Sequence, residues 1–429
     1  MNNWQKSDSQ IQVKFLTKQE KYAVPDTPFY VPHNVTPAGL NELLNQLLCE
    51  GASDSKNKKF QFSFLINDEI LHSNLAEYIA ENNISSEHDI CIEYIEATPA
   101  PEPLDCLEHD DWVSAVHMSS EWILSGCYDN SLHIWSGESK HKHLLSCTSH
   151  SGPIKGVSWI QMWINENGNS MASFVSVSQD QTALLWEWNI DENVAKPIFV
   201  YRGHERSINC VHAKPSESVF VTGGWDCTLK IWLTDFNAIN NEEELSAKRH
   251  KRDRINAPLT QVPKSTLQGH KEAISTVQWT EDNDIMSASW DHTIKLWDAE
   301  YGGIKTEIVG NKSIFNAHYS HLNHLIITCS ADRHIRLYDS KSSEGSIVKK
   351  IFSSHKEWVQ SVRWSTTAEH LFVSGSFDND LKLWDIRSCN TPLFDLLGHE
   401  DKILCCDWSK PELIISGSAD RTLRLYSVK

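Results

Sequence analysis

One motif recurs seven times in this chain and constrains everything else. An aspartate is followed, after five intervening residues, by an aromatic: Asp129 and Trp135, Asp180 and Trp186, Asp226 and Trp232, Asp291 and Trp297, Asp332 and Tyr338, Asp378 and Trp384, Asp420 and Tyr426. Four residues before each aspartate stands a hydroxyl: Ser125, Ser176, Thr222, Ser287, Thr328, Ser374 and Ser416. Six copies carry a histidine 20 to 30 residues upstream of the aspartate, namely His109, His150, His204, His270, His355 and His399, and the fifth has Asn311 there. Consecutive aspartates lie 41 to 65 residues apart. Offsets kept this strictly mark an array of like supersecondary units, each too small to bury its own apolar face alone.

The pattern resembles WD40 repeats and covers roughly residues 104–429. The resemblance implies a seven-bladed β-propeller of four-stranded blades. In that family the His, Ser/Thr, Asp and Trp of a blade form a buried hydrogen-bonded tetrad. The chemistry is coherent: aspartate holds the turn and accepts from the imidazole, the imidazole bonds the hydroxyl, and the indole N–H donates to it. Each buried polar group then has a partner, as a protein core requires. A slip of one residue would turn every member to the wrong face, so the tetrad also fixes strand register. Tyr338, Tyr426 and Asn311 break the pattern, so blade five is expected to be the softest and blade seven slightly weakened. A serine, a histidine and an aspartate meeting in each blade imitate a hydrolase triad. Seven copies, however, mean scaffold, and the indole occupies the place of a substrate. Walker, HExxH and GxSxG motifs are absent from the sequence, and the chain is expected to be neither an enzyme nor dependent on a cofactor or metal of its own.

The formal net charge is −18, which argues against direct nucleic-acid binding and favours protein partners. Eleven cysteines show no CxxC pair and read as reduced, small buried hydrophobes. The N-terminal segment MNNWQKSDSQ has no apolar run, and no stretch of 18 apolar residues follows, so neither a signal peptide nor a membrane span is expected.

Ahead of the repeats, residues 1–9 are polar and expected to be disordered. Residues 10–96 then alternate between elements. Ile11 to Leu16 has the period of a half-buried strand, and a second extended stretch is interrupted by Pro25, Pro28 and Pro32. Leu40, Leu43, Leu44, Leu47 and Leu48 follow Thr36-Pro37 at helical spacing, with Gly51 as the stop. Phe60 to Phe64 reads as a strand, Leu75 to Ile79 as a short helix and Ile90 to Tyr94 as the last strand. This order looks like the ubiquitin-like β-grasp fold. Residues 97–103 carry three prolines and read as a stiff linker. Only three residues follow Tyr426, so blade seven is expected to borrow its outer strand from Leu104–Leu107.

A ubiquitin-like head joined to seven WD40 repeats resembles the WD-repeat subunit of the PeBoW ribosome-assembly complex. The junction Glu96-Ala-Thr-Pro-Ala-Pro-Glu-Pro, the segment Asp26-Thr-Pro-Phe-Tyr-Val-Pro and the turn Asn83-Ile-Ser-Ser-Glu87 carry the likeness. The resemblance implies a nucleolar and nucleoplasmic scaffold for assembly of the large ribosomal subunit. It implies as partners the block-of-proliferation WD-repeat protein, pescadillo, pre-60S particles and the AAA ATPase midasin. It also singles out Glu87, whose carboxylate would complete the shell of a Mg²⁺ held by midasin, a hard cation that takes oxygen ligands. Read without the resemblance, Glu87 is a solvated turn acid; Asp68 and Asp89 are nearby alternatives.

Two further features bear on partners. Tyr128, Trp225, Trp290 and Phe377 directly precede tetrad aspartates, and Trp112 and Trp358 stand three residues after tetrad histidines. In WD40 propellers these positions face the top, so the six aromatics are expected to form a protein-binding face. Residues 233–266 form a charged insert, expected to be disordered, whose run Lys248, Arg249, Lys251, Arg252 matches a nuclear-localisation type. Two other readings remain open on sequence: a notchless-type pre-60S factor, which carries eight repeats, and a substrate receptor of a cullin-type ubiquitin ligase, for which Asp385-Ile-Arg387 after Trp384 is the relevant tripeptide.

Overall fold

A computed structural model describes residues 10–51, 59–84, 89–119, 121–138, 141–164, 168–214, 217–234, 258–281, 283–341 and 348–428. The chain divides into two compact units, Met1–Ala100 with Asp385–Leu393, and Pro101–Trp384 with Phe394–Lys429.

In the first unit the strands are β1 (Gln10–Leu16), β2 (Phe29–Pro32), β3 (Phe62–Ile66), β4 (Glu69–Ile70) and β5 (Ile90–Glu96). They form one sheet in the order β2-β1-β5-β3-β4. β1 and β5 run parallel at its centre and the other pairs are antiparallel, which is the β-grasp arrangement. Helix α1 (Pro37–Gly51) starts where Thr36 Oγ1 accepts from the Gly39 N–H, and it buries Leu40 and Leu44 completely against the sheet. Helix α2 (Leu75–Glu81) is capped by Asn74, whose Oδ1 accepts from the Glu77 N–H at 2.8 Å, the bond that satisfies an otherwise orphaned first-turn donor. The two-residue β4 is an addition to the elements read from sequence. It is too short to show a period, and it is made by a turn in which Asn67 and Asp68 both take positive φ.

Among the described residues the second unit is built from seven sheets, antiparallel except for one parallel pair at the edge of blade two. Blade one runs through Val113–Met118, Trp122–Cys127, Ser131–Ser136 and His143–Thr148. The other blades repeat this meander. The innermost strands neighbour one another in a closed cycle, and Ile403–Lys410 of blade seven returns to Val113–Met118 of blade one. Blade seven takes its outer strand from β6 (Glu102–Glu108), with Leu107 opposite Leu423 and Glu108 opposite Thr422. The ring is thus latched by residues from before blade one, and the last strand has no open edge there. β6 begins inside the expected linker: Glu102 and Pro103 already pair with Ser427 and Tyr426.

Packing between blades is apolar. Val113, Val116 and Ile123 of blade one close on Cys405, Ile415 and Leu423 of blade seven in one buried cluster. Gly126 and Gly375 stand where a Cβ would collide with Ile154 and Ile403 of the following blade, so both positions need glycine for close sheet approach.

In blade two, Ile154–Ile164 and Ser170–Ser178 pair as a long hairpin. Two expectations are revised. Residues 258–266 are not disordered: Leu259–Gln261 joins blade two beside Phe199–Tyr201, and Ser265–Gln268 is the outer strand of blade three. Both are short and bounded by Pro258 and Pro263, which hides them from a periodicity search. The cysteines are not uniformly buried. Five are, but Cys49, Cys91 and Cys106 are exposed, and among the described residues no disulfide forms.

Candidate docking face and the tetrads beneath it

Each blade's turn aspartate works first on its own backbone. Oδ1 of Asp129, Asp180, Asp226, Asp291, Asp332, Asp378 and Asp420 accepts from the N–H two residues on, at 2.9 to 3.2 Å. In six of these turns the intervening residue takes positive φ: Asn130, Gln181, Cys227, His292, Asn379 and Arg421. An aspartate there closes an Asx turn and steadies the unusual backbone. In five blades its other oxygen holds the tetrad histidine: the Nδ1–Oδ2 distances are 2.9 Å for His150–Asp180, 2.8 Å for His204–Asp226, 2.8 Å for His270–Asp291, 2.9 Å for His355–Asp378 and 2.8 Å for His399–Asp420. With Nδ1–H donating, Nε2 is left to accept from the hydroxyl of Ser176, Thr222, Ser287, Ser374 or Ser416, at 2.7 to 2.8 Å. The indole N–H of Trp186, Trp232, Trp297 and Trp384 donates to the hydroxyl in turn. Burial alone would raise the Asp226 carboxyl, but the hydrogen bond and charge of His204, the Glu205 N–H and the Thr228 hydroxyl hold it down at about 2.

Three blades depart. In blade seven Tyr426 replaces the indole and donates to the Leu396 carbonyl at 3.4 Å. In blade five Arg336 takes over the aspartate, with Nη1 at 3.2 Å and Nη2 at 2.6 Å from Asp332. Thr328 there has neither an imidazole nor an indole N–H to bond. Blade one has every tetrad residue type yet is not assembled like the rest. His109 meets Ser125 at 2.9 Å and Trp135 donates to Ser125 at 3.1 Å, but His109 Nδ1 turns to the Leu107 carbonyl. Among the described residues, Asp129 keeps only its bonds to the Ser131 N–H and hydroxyl, which Asp180, Asp226, Asp291 and Asp420 make to the matching threonines alongside their histidines. Burial and the neighbouring His133 lower the His109 pKa to about 4. Cys127, Asp129 and His133 lie close enough to share a cation.

A second ring of hydrogen bonds escaped the sequence reading. At each blade interface a polar side chain on the innermost strand accepts from the backbone N–H of the next blade; in six it comes from one equivalent position, and between blades six and seven Ser361, two residues earlier in its strand, accepts from the Cys406 N–H at 3.1 Å. His117 Nδ1 takes Trp159 N–H at 2.9 Å, Ser158 takes Ala213 at 3.2 Å, and His212 takes Trp279 at 3.4 Å. Gln278 takes Tyr319 at 2.8 Å, His318 takes Trp364 at 3.1 Å, and Asp407 of blade seven takes Met118 of blade one at 2.8 Å. The signal was present: His117, Ser158, His212, Gln278 and Asp407 each stand eight residues after a tetrad histidine, and the sixth blade has Arg363 at that offset.

The six aromatics gather in pairs. The N–H of Tyr128 bonds the Trp112 carbonyl, and that of Phe377 bonds the Trp358 carbonyl. The same backbone link that joins the two loops therefore sets each pair of rings side by side, with centroids 5.4 Å and 6.2 Å apart. Trp225 and Trp290, from adjacent blades, meet at 5.2 Å. Five of the six line one cavity of about 490 Å³ that runs into the propeller channel; Trp112 stands outside it. Trp112, Trp225 and Trp358 remain 43%, 42% and 48% exposed, too much for packing residues of this size. Phe315 and Lys155 complete the surface. Phe315 lies 5.7 Å from Trp358, and Lys155 Nζ sits over the Tyr128 ring and bonds its hydroxyl at 2.6 Å. Neither was expected, because Phe315 and Lys155 stand at neither of the two positions searched. Glu87 and the basic residues Lys248, Arg249, Lys251 and Arg252 lie outside the described residues.

Comparison with known proteins bears on both units. An NLE (NUC135) domain model matches residues 11–79. The WD domain, G-beta repeat model matches six segments, 101–136, 195–232, 261–298, 304–339, 346–385 and 390–427. Blade two goes unmatched; its long hairpin stretches the spacing from His150 to Asp180 to 30 residues. A ribosome biogenesis protein WDR12 homolog of Aedes aegypti is 48% identical over 424 residues, covering 99% of this chain and 97% of its own. The chain belongs to the WDR12 family of ribosome biogenesis proteins. The WDR12 homolog of Drosophila mojavensis is 49% identical over 98% of this chain and 96% of its own. Membership settles the rivalry left open by Asp385-Ile-Arg387 in favour of ribosome biogenesis. Arg387 is moreover folded back on Asp385, with Nε at 2.8 Å from Oδ1.

Proposed function

We propose that this WDR12-family protein is a non-catalytic scaffold of large-subunit assembly, held in a PeBoW-type complex by its propeller and released through its ubiquitin-like unit. The observation that carries the reading is the aromatic surface at the channel mouth, set on a closed ring in which five blades carry the His–Asp–hydroxyl network. Paired, half-exposed tryptophans on a rigid base suit a protein partner, because large aromatics contribute most of the free energy at interfaces and lose little entropy there. The block-of-proliferation protein is the partner assigned to this face, with pescadillo reached through it. The tetrad Ser, His and Asp are engaged with one another and with backbone in five blades, which is how structural groups behave.

In the ubiquitin-like unit the Glu87 turn is the midasin contact. The support is the Asn83-Ile-Ser-Ser-Glu87 likeness in a chain of this family. Of the residues flanking it, the Ile84 N–H is bonded to the Ile79 carbonyl of α2, and Ile90 opens β5 inside the core. Nucleolar and nucleoplasmic localisation through the Lys248–Arg252 run belongs to the same reading.

Affinity capture of tagged full-length protein from nuclear extract, read by mass spectrometry, tests both arms. Glu87→Asp should lose midasin while keeping the propeller partners. A Trp225→Ala, Trp290→Ala double variant should lose the propeller partners while keeping midasin. Undiminished midasin recovery with Glu87→Asp removes the release arm, and undiminished recovery of every propeller partner with the double variant removes the docking face.

A further inference from the structure

The ring of inter-blade acceptors shifts position once, where Ser361 takes the Cys406 N–H, and the shift frees Arg363 and changes the chemistry of the channel. Where five other blades place a histidine, serine, glutamine or aspartate eight residues after the tetrad histidine, blade six places Arg363. A guanidinium has only donors, so it cannot accept a backbone N–H. It lines the cavity instead. Its Nη1 bonds the Asn316 side chain at 3.0 Å and the Val362 carbonyl at 3.1 Å. Among the described residues, no hydrogen bond or ion pair engages its Nε or Nη2.

We propose that the channel interior binds a small phosphate-type oxyanion, held by the Arg363 guanidinium together with the Nε2–H groups of His117, His318 and His212. The tautomers follow from the ring of bonds. Each of these imidazoles accepts a backbone N–H at Nδ1, which leaves the proton on Nε2, at the opposite edge of the ring. All three line the same cavity as Arg363. They stand close enough for His318 to feel the charges of Arg363 and His212, and for His212 to feel His117 and Arg363. Among the described residues, no hydrogen bond engages Nε2 of His117 or His318. His212 also interacts with the Ala213 carbonyl and is the weaker member.

Negative charge in the cavity is sparse. Asp407 is the one carboxylate among the residues lining it, and its oxygens already take the Met118 N–H and the Ser409 hydroxyl, each at 2.8 Å. No ion pair joins Asp407 to Arg363 among the described residues. Donors from blades one, three, five and six, with one carboxylate in the same lining, form the complement of a tetrahedral oxyanion. The guanidinium fork suits phosphate oxygens in particular. A cavity of about 490 Å³ has room for inorganic phosphate or for a larger polyphosphate. The site is positive within a chain of net charge −18, so long-range attraction does not bring the anion in and the local donors must hold it.

The test is isothermal titration of the full-length protein with inorganic phosphate and, separately, with inositol hexakisphosphate, at constant ionic strength with chloride as the reference anion. Saturable one-to-one binding of at least one of them is expected, and the stronger one identifies the source. Arg363→Met should weaken it about tenfold to a hundredfold, the cost of losing a charge-assisted contact. A His117→Asn, His318→Asn double variant keeps an acceptor in place of each Nδ1 but removes both Nε2–H donors, and should weaken binding about tenfold. Absence of saturable binding of either anion to the wild-type protein overturns the proposal. So does unchanged affinity in Arg363→Met or, where that variant does not fold, in the double histidine variant.

Discussion

Replacing His212 by asparagine should flatten the response of the propeller to mild acid. His212 is enclosed in the ring with Nδ1 accepting from Trp279 N–H, and burial, the neighbouring His117 and Arg363 lower its pKa to about 3. In the unfolded chain it titrates near the ordinary value of about 6.5. A base whose folded pKa is depressed contributes stability that is complete above the unfolded pKa and lost as pH falls toward the folded one. The window therefore opens just above pH 6.5 and extends to about pH 3. Between pH 7.5 and 5.0 the unfolded chain gains a proton that the folded one refuses, a cost of about 2 kcal/mol at about 1.4 kcal/mol per unit. The ring edge faces the channel rather than dry packing, so about 2 kcal/mol is an upper bound. His117 and His318 are lowered in the same direction by burial and add to the effect. Asparagine keeps an oxygen where Nδ1 was and does not titrate. Urea unfolding of wild-type and His212→Asn proteins at pH 7.5 and pH 5.0 isolates the term, since every other titration cancels between them. The variant should lose about 1 to 2 kcal/mol less than the wild type across this interval. An equal loss in both would refute the assignment of His212 as a neutral inter-blade acceptor.

The tetrads make their own predictions. Trp297→Phe removes the indole N–H from Ser287, a 2.8 Å bond at a fully buried site, and should cost about 2 to 3 kcal/mol in urea unfolding, from the lost bond and the space left behind. Tyr426→Phe at the matching position of blade seven gives up only the 3.4 Å contact to Leu396 and should cost about 1 kcal/mol or less. Arg336→Gln strips Asp332 of its bidentate partner in blade five. It should cost about 1 to 3 kcal/mol, with earlier hydrogen exchange in Leu325–Ser330 and His334–Asp339 than in any other blade. Blade five protected as well as its neighbours in that variant would show that the salt bridge does not replace the tetrad.

How far the molecule can be read from its sequence depends on how local each interaction is. The turn aspartates were legible because each acts within two residues of itself, and the Asx turn with its positive-φ neighbour fixes the offset to the aromatic through paired strands. The aromatic pairs were legible for the same reason: one backbone bond from the residue before Asp129 or Asp378 to the residue three after His109 or His355 sets them together. Blade one shows the limit. His109, Ser125, Asp129 and Trp135 satisfy the pattern, yet His109 and Asp129 part, because the Leu107 carbonyl takes His109 Nδ1, a partner that no tetrad rule includes. The short strands at Leu259–Gln261 and Ser265–Gln268 were hidden because three or four residues cannot display a period, and only their pairing with blades two and three makes them strands. The inter-blade ring at His117, Ser158, His212, Gln278, His318 and Asp407 was missed although its offset is nearly constant, because its residue type is not. Any acceptor serves there, so selection on the bond leaves the chemistry free to vary. That freedom is what lets one position, Arg363, abandon the bond and turn its donors to the channel. In a ring of repeats, function is therefore to be sought where a position shared by all blades carries a residue that cannot do what the other six do.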